Sequence, residues 1–126
     1  MTLSRFLSSL VVGILAFQSP VWADENQRTV DALQQAVKTD PSNSELWVHL
    51  GFAYRKAGDL SKAQESFEKA SSLNPRDPDA YFMLGLIYES KGQNQDALRA
   101  WKACLANQTD PTRRAQAENH IHHLSQ

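Results

Sequence analysis

Histidine and cysteine are the residues in this chain with the most obvious chemical potential, and they are few: four histidines and one cysteine in 126 residues. His120, His122 and His123 cluster near the carboxyl end. His120 and His123 are three apart, so on a helix they share a face at a spacing that can chelate a transition metal. Two imidazoles without a third ligand make a weak site, and a histidine-rich tail is more often an exposed polar end. His49 has no cysteine or carboxylate placed to make it the base of a nucleophile. Cys104 is alone, so no disulfide can form within the chain. No glycine-rich phosphate loop, nucleophile elbow or paired-histidine zinc motif is present. The sequence therefore points away from catalysis and calls for no cofactor. Metal binding through His120 and His123 stands as a minor alternative.

Charge narrows the partner class. The chain has 13 basic and 14 acidic residues. Nucleic acid needs a concentrated basic face to neutralise phosphates, and none is present. Anionic lipid needs a polybasic segment, which is also missing. The amino end has its own pattern: Arg5, an apolar run from Phe6 to Phe17, then Val21-Trp22-Ala23. The run is shorter than the roughly 20 residues that span a bilayer as a helix. Residues 1–23 read as a cleavable export signal cut after Ala23, which makes the protein periplasmic or secreted. An uncleaved membrane anchor is the minority reading. Loss of Arg5 with this segment leaves a net charge of −2.

The rest of the chain must be helical to place any of these residues. Val30, Leu33 and Val37 recur at helical spacing within 24–38, and Asp40-Pro41 ends that helix. Ser42, Asn43 and Ser44 offer caps for a helix over about 45–57. Gly58-Asp59 turns into a helix over 60–73, closed by Asn74-Pro75. Pro78 starts the next helix, over 78–91, and Gly92 turns into one over 94–107. Asp110-Pro111 stops that one, and a last helix covers 112–124. No segment alternates like a strand. The fold class is all-α, with about six helices after the signal segment.

Those helices repeat. Trp47, Leu50, Gly51, Tyr54, Gly58, Ala63, Phe67 and Ala70 return 34 residues later as Tyr81, Leu84, Gly85, Tyr88, Gly92, Ala97, Trp101 and Cys104. The glycines and alanines leave room where paired helices approach, and the aromatics fill the space between layers. Cys104 takes a small-residue packing position, where a buried thiol is inert. These positions resemble the tetratricopeptide repeat family, whose 34-residue signature places Trp, Leu-Gly, Tyr, Ala, Phe and Pro in this order. Residues 44–77 carry that signature in full, through Trp47, Leu50, Gly51, Tyr54, Ala63, Phe67 and Pro75. Residues 78–111 form a second repeat with Tyr81, Trp101 and Cys104 as variants. Leu33, Ala36 and Pro41 make 24–41 look like half of an earlier repeat, and 112–126 a capping helix. The proline that ends the second repeat stands at 111 instead of 109. This predicts a second helix about two residues longer, with Ala117, Ile121 and Leu124 as the packing stripe of the cap.

The resemblance implies a right-handed α-solenoid of antiparallel helix pairs whose first helices line a concave groove that binds peptides. Carried over residue by residue, that groove takes Val48, His49, Phe52, Arg55 and Lys56 from the first repeat. It takes Asp79, Phe82, Met83, Leu86 and Glu89 from the second, and His122 from the last helix after the two-residue shift. Val48, Phe52, Phe82 and Leu86 form an apolar strip that packing does not obviously require, and such strips mark contact sites. Members that clamp a chaperone's carboxylate tail place lysine and asparagine where these four residues stand, so that specificity is not expected. The implied function is a non-catalytic module that holds an apolar protein or peptide segment, scaffolding or assisting assembly of an envelope complex. Two alternatives stay open: a terminal helix covers the groove, or two copies bury it in a homo-oligomer.

Overall fold

Four of the six helices begin where a side chain satisfies free amide groups, and Gln93 before Asn94 makes no such cap. Asn43 Oδ1 accepts from the N–H groups of Glu45 and Leu46, and Asp59, Asp77 and Asp110 cap three further helices in the same way. The computed structural model describes residues 21–126 and contains six helices in chain order. These are α1 (Val21–Thr39), α2 (Ser44–Lys56), α3 (Leu60–Leu73), α4 (Pro78–Ser90), α5 (Asn94–Asn107) and α6 (Pro111–Leu124). No strand occurs among the described residues. Gly58 and Gly92, with φ of 86° and 71°, reverse the chain inside each repeat, in backbone conformations that side chains rarely adopt.

Helices α2 and α3 pair most closely, as do α4 and α5, and every other substantial contact joins neighbours in the chain. Within each pair the approach depends on one glycine. A methyl group on Gly51 would lie 2.8 Å from the Phe67 ring, and one on Gly85 would lie 2.5 Å from the Trp101 ring. Phe67 and Trp101 are both fully buried. The first core cluster runs from Val30 and Val37 on α1 through α2 and α3 to Met83, Leu84 and Ile87 on α4. A second, smaller cluster joins Ala97, Trp101 and Cys104 of α5 to Ala117 of α6. The repeat also recurs in its polar contacts. Gln34 donates to the Tyr54 hydroxyl, and 34 residues later the Tyr88 hydroxyl donates to Glu68 at 2.6 Å.

Two expectations change. Helix α5 is no longer than α3, since both have 14 residues. Pro111 is the first residue of α6, as Pro78 is of α4. It opens the last helix and does not mark a displaced terminator, so no two-residue shift is required. The plain 34-residue step then aligns Asp79 with Arg113, Met83 with Ala117 and Leu86 with His120. Met83 and Ala117 are both buried, and Ala117, Ile121 and Leu124 form the packing stripe expected of the last helix. At the other end, residues 1–20 of the expected export segment lie outside the described residues. Val21 to Ala23 form the first turn of α1, which starts three residues before the expected Asp24.

Candidate functional site

The cleft between α2, α4 and α6 is built on two phenylalanines that are neither core nor free surface. Phe52 stands edge-on to Phe67, with ring centres 5.2 Å apart and planes at 84°. Phe82 stands edge-on to Trp101 at 5.1 Å and 87°. Each therefore has one edge against the central aromatic of its own repeat, an arrangement worth about 0.5–1.5 kcal/mol beyond area burial. The rest of each ring borders a hollow, and Phe52 keeps 37% of its surface exposed. A hollow of about 230 Å³ lies between them, lined also by Met83, Leu86, Arg55, Asp79 and Arg113.

Charge frames this hollow. The Arg55 guanidinium sits 5.6 Å from the centre of the Phe52 ring, and that of Arg113 sits 5.4 Å from the centre of Phe82. Cations over ring faces gain quadrupole attraction, which holds both arginines over the apolar floor. Arg113 also forms an ion pair with Asp79. Asp79 is the one carboxylate lining the hollow, and it already has a cation.

The expected groove residues divide three ways. Phe52, Arg55, Phe82, Met83 and Leu86 line the hollow together. Val48 and Met83 are 8% and 5% exposed, so both belong to the core, and Met83 reaches the hollow only as its floor. Helical periodicity identifies a face but not its depth, and these two lie where α2 and α4 meet their neighbours. His49 and Lys56 are exposed and do not line the hollow. His122 is exposed and accepts a hydrogen bond from the Gln126 side chain at 2.8 Å, away from the cleft. The two-residue shift had placed it in the groove. The unshifted register supplies Arg113 instead, a residue detectable as the 34-residue successor of Asp79.

Glu89 and His120 have other partners. Trp101 Nε1 donates to Glu89 Oε2 at 2.8 Å, and His120 Nδ1 lies 2.7 Å from the same oxygen. The His120 ring stacks on Trp101, 4.2 Å between centres and 9° between planes. No group of three potential metal ligands occurs among the described residues. His120 is thus held by an indole and a carboxylate, while His122 and His123 are exposed. Cys104 is fully buried, and burial raises its thiol pKa, which disfavours the reactive thiolate. A second hollow, about 450 Å³, lies between α3, α4 and α5 and is lined by Glu68, Tyr81, Tyr88, Asp96 and Arg99 among others. Burial, with Glu68 beside it, pushes the Tyr88 phenol up from its ordinary value. Ser71 and Ser72, which also line this hollow, both donate to the backbone carbonyl of Glu68 at 3.0 Å.

Three family models match this chain. Residues 53–92 match a model described as TPR repeat, and residues 32–65 and 79–110 match two described as tetratricopeptide repeat. Human superkiller complex protein 3 is 30% identical over 101 residues, which is 79% of this chain and 6% of that protein. Cellulose synthase operon protein C of Komagataeibacter xylinus is 30% identical over 106 residues, 71% of this chain and 8% of that protein. The chain therefore spans less than a tenth of these relatives. The crystal structure of the Sgt2 TPR domain from Aspergillus fumigatus superposes with a TM-score of 0.68 at 22% identity, covering 81% of this chain and 70% of that one. That likeness concerns the fold. The family matches together run from residue 32 to residue 110, over the two glycine–aromatic helix pairs that build the cleft, and the chain belongs to the tetratricopeptide repeat family of protein–protein interaction modules.

Proposed function

We propose that the cleft between α2, α4 and α6 holds a segment of another protein that is apolar at its centre and acidic at its flanks. The observation that carries this reading is the pairing of two half-open phenylalanines with two arginines over their faces. An apolar side chain entering the hollow covers Phe52, Phe82 and Leu86. Carboxylates on either side meet Arg55 and Arg113, the latter in competition with Asp79. The role is non-catalytic. With residues 1–23 as an export signal, the module works outside the cytoplasm and serves the assembly of an envelope complex.

Selection from a displayed random-peptide library against the full chain tests the reading. Enriched peptides should share one or two large apolar residues bracketed by Asp or Glu. Replacing Arg55 and Arg113 together with alanine should weaken their binding about tenfold, as expected when two charge-assisted contacts of roughly 0.5–1 kcal/mol each are lost. Enrichment without acidic flanks, or binding indifferent to both arginines, contradicts it. Sedimentation across a concentration series adds a further check. A stable dimer that excludes the selected peptides would assign the cleft to self-association. Phe52→Glu is a poor probe by itself, because it also breaks the edge contact with Phe67 and lowers stability.

A further inference from the structure

Glu89 of α4, Trp101 of α5 and His120 of α6 meet at a single carboxylate oxygen, which takes both the indole N–H and the imidazole Nδ1. The imidazole lies flat on the indole. Such a contact is stronger with the ring protonated, because the close approach of Nδ1 to the carboxylate becomes an ion pair and the stack becomes a cation over an aromatic face. We propose that this triad is a proton-dependent latch that seats α6 on the second repeat, and that the cleft, which takes Arg113 from the same helix, is completed or loosened with pH. The effect on the cleft rests on its reading as the partner site; the latch itself does not.

Helix α6 is lightly held, which is why one contact carries weight. Ala117 is its only fully buried residue, with Ile121 and Leu124 half-buried against α5. Its other holds do not depend on imidazole charge. Arg114 donates to the backbone carbonyls of Leu105 and Gln108, at 2.9 and 2.8 Å, and Arg113 pairs with Asp79. Among charged groups, Glu89 faces the ring from α4. Lys102 follows Trp101 on α5, and His123 lies one turn further along α6. Of these, Glu89 is the ion-pair partner. The sign follows from these contacts: a protonated ring holds Glu89 and the indole more strongly than a neutral one, so α6 is better seated with the proton on. Loss of that proton loosens α6 without releasing it, since its other holds remain.

Amide hydrogen exchange on the full chain tests this without any partner, comparing about pH 5.5 with about pH 8, either side of ordinary imidazole titration. After correction for intrinsic exchange rates, α6 protection should fall about fivefold at the higher pH, the scale of one partly exposed charge-assisted contact. Protection of α2 and α3 should not change. The Trp101 indole N–H resonance should move along the same titration. His120→Phe keeps a ring on Trp101 but cannot titrate, and Glu89→Gln keeps an acceptor for the indole but removes the charge. Both should flatten the response while α2 and α3 stay protected. Equal α6 protection at both pH values, or a pH response that survives in His120→Phe, overturns the latch. A pH-dependent α6 with pH-independent affinity for a selected cleft peptide supports the latch and overturns its link to the cleft.

Discussion

At the scale of the residue, two glycine–aromatic contacts fix how closely the paired helices lie. Gly85 faces the fused part of the Trp101 indole, which is fully buried and backed by Phe82 and His120. Gly51 faces the Phe67 ring, which has Phe52 against it. Gly85→Ala forces a methyl group into a wall that cannot yield, so it should destabilise by about 2–3 kcal/mol, the upper part of the usual cost of overpacking. Gly51→Ala meets its ring slightly further away and should cost less. Urea denaturation of the two variants checks the order, and equal midpoints would remove the claim that Trp101 is the more rigid wall. The 34-residue spacing made both pairs legible in the sequence, because each glycine and its aromatic recur together. It did not reveal that Phe52 and Phe82 lean on those same aromatics. Edge-on contacts between neighbouring faces leave no periodic trace.

At the scale of the element, the departure from expectation lies at the join of α5 and α6. The late proline suggested a longer α5. The connection is instead a short brace built by Gln108, which is 7% exposed. Its side-chain oxygen accepts from the N–H groups of Thr109 and Asp110, and its backbone carbonyl accepts from Arg114. This brace turns the chain directly into an α6 that opens at Pro111 with Asp110 as its cap. The 34-residue predecessor of Gln108, Asn74, accepts from one amide of its own loop, that of Arg76, so the brace is a longer version of a repeated device, and the proline's position alone does not reveal it. The displaced register then sent His122 to the groove and left Arg113 out. Gln108→Ala leaves two loop amides without their acceptor and should cost about 1–2 kcal/mol, as for buried hydrogen bonds that lose a partner. The loss should appear as faster exchange in α6 and at the end of α5, with α2 and α3 unaffected. A uniform loss of protection along the chain would show that the loop acts on the whole fold and not on its own join.

At the scale of the whole molecule, each helix leans chiefly on its neighbours in the chain, so stability is close to a sum of local units and the faces between them. The two ends are unequal. Helix α1 brings Val30 and Val37 into the larger cluster, which spans four helices and reaches α5 through Ala100. Helix α6 covers the smaller cluster, to which it contributes Ala117 with Ile121 and Leu124 packed beside it. Ending the chain at Asp110 therefore removes more than a helix. It uncovers part of a fully buried tryptophan and takes the imidazole off its face. The second repeat should lose about 2 kcal/mol, within the range for exposing a large apolar side chain. The first repeat should lose little, because its contacts run through α1 and α4. Two-state behaviour would then break down, since probes in the two repeats report different midpoints. The indole N–H signals of Trp47 and Trp101 supply those probes in one urea titration. In the full chain the two should vanish together, and in the shortened chain Trp101 should go first. Coincident transitions in the shortened chain would show that the two clusters fold as one unit and that α6 is an ornament on a core already complete.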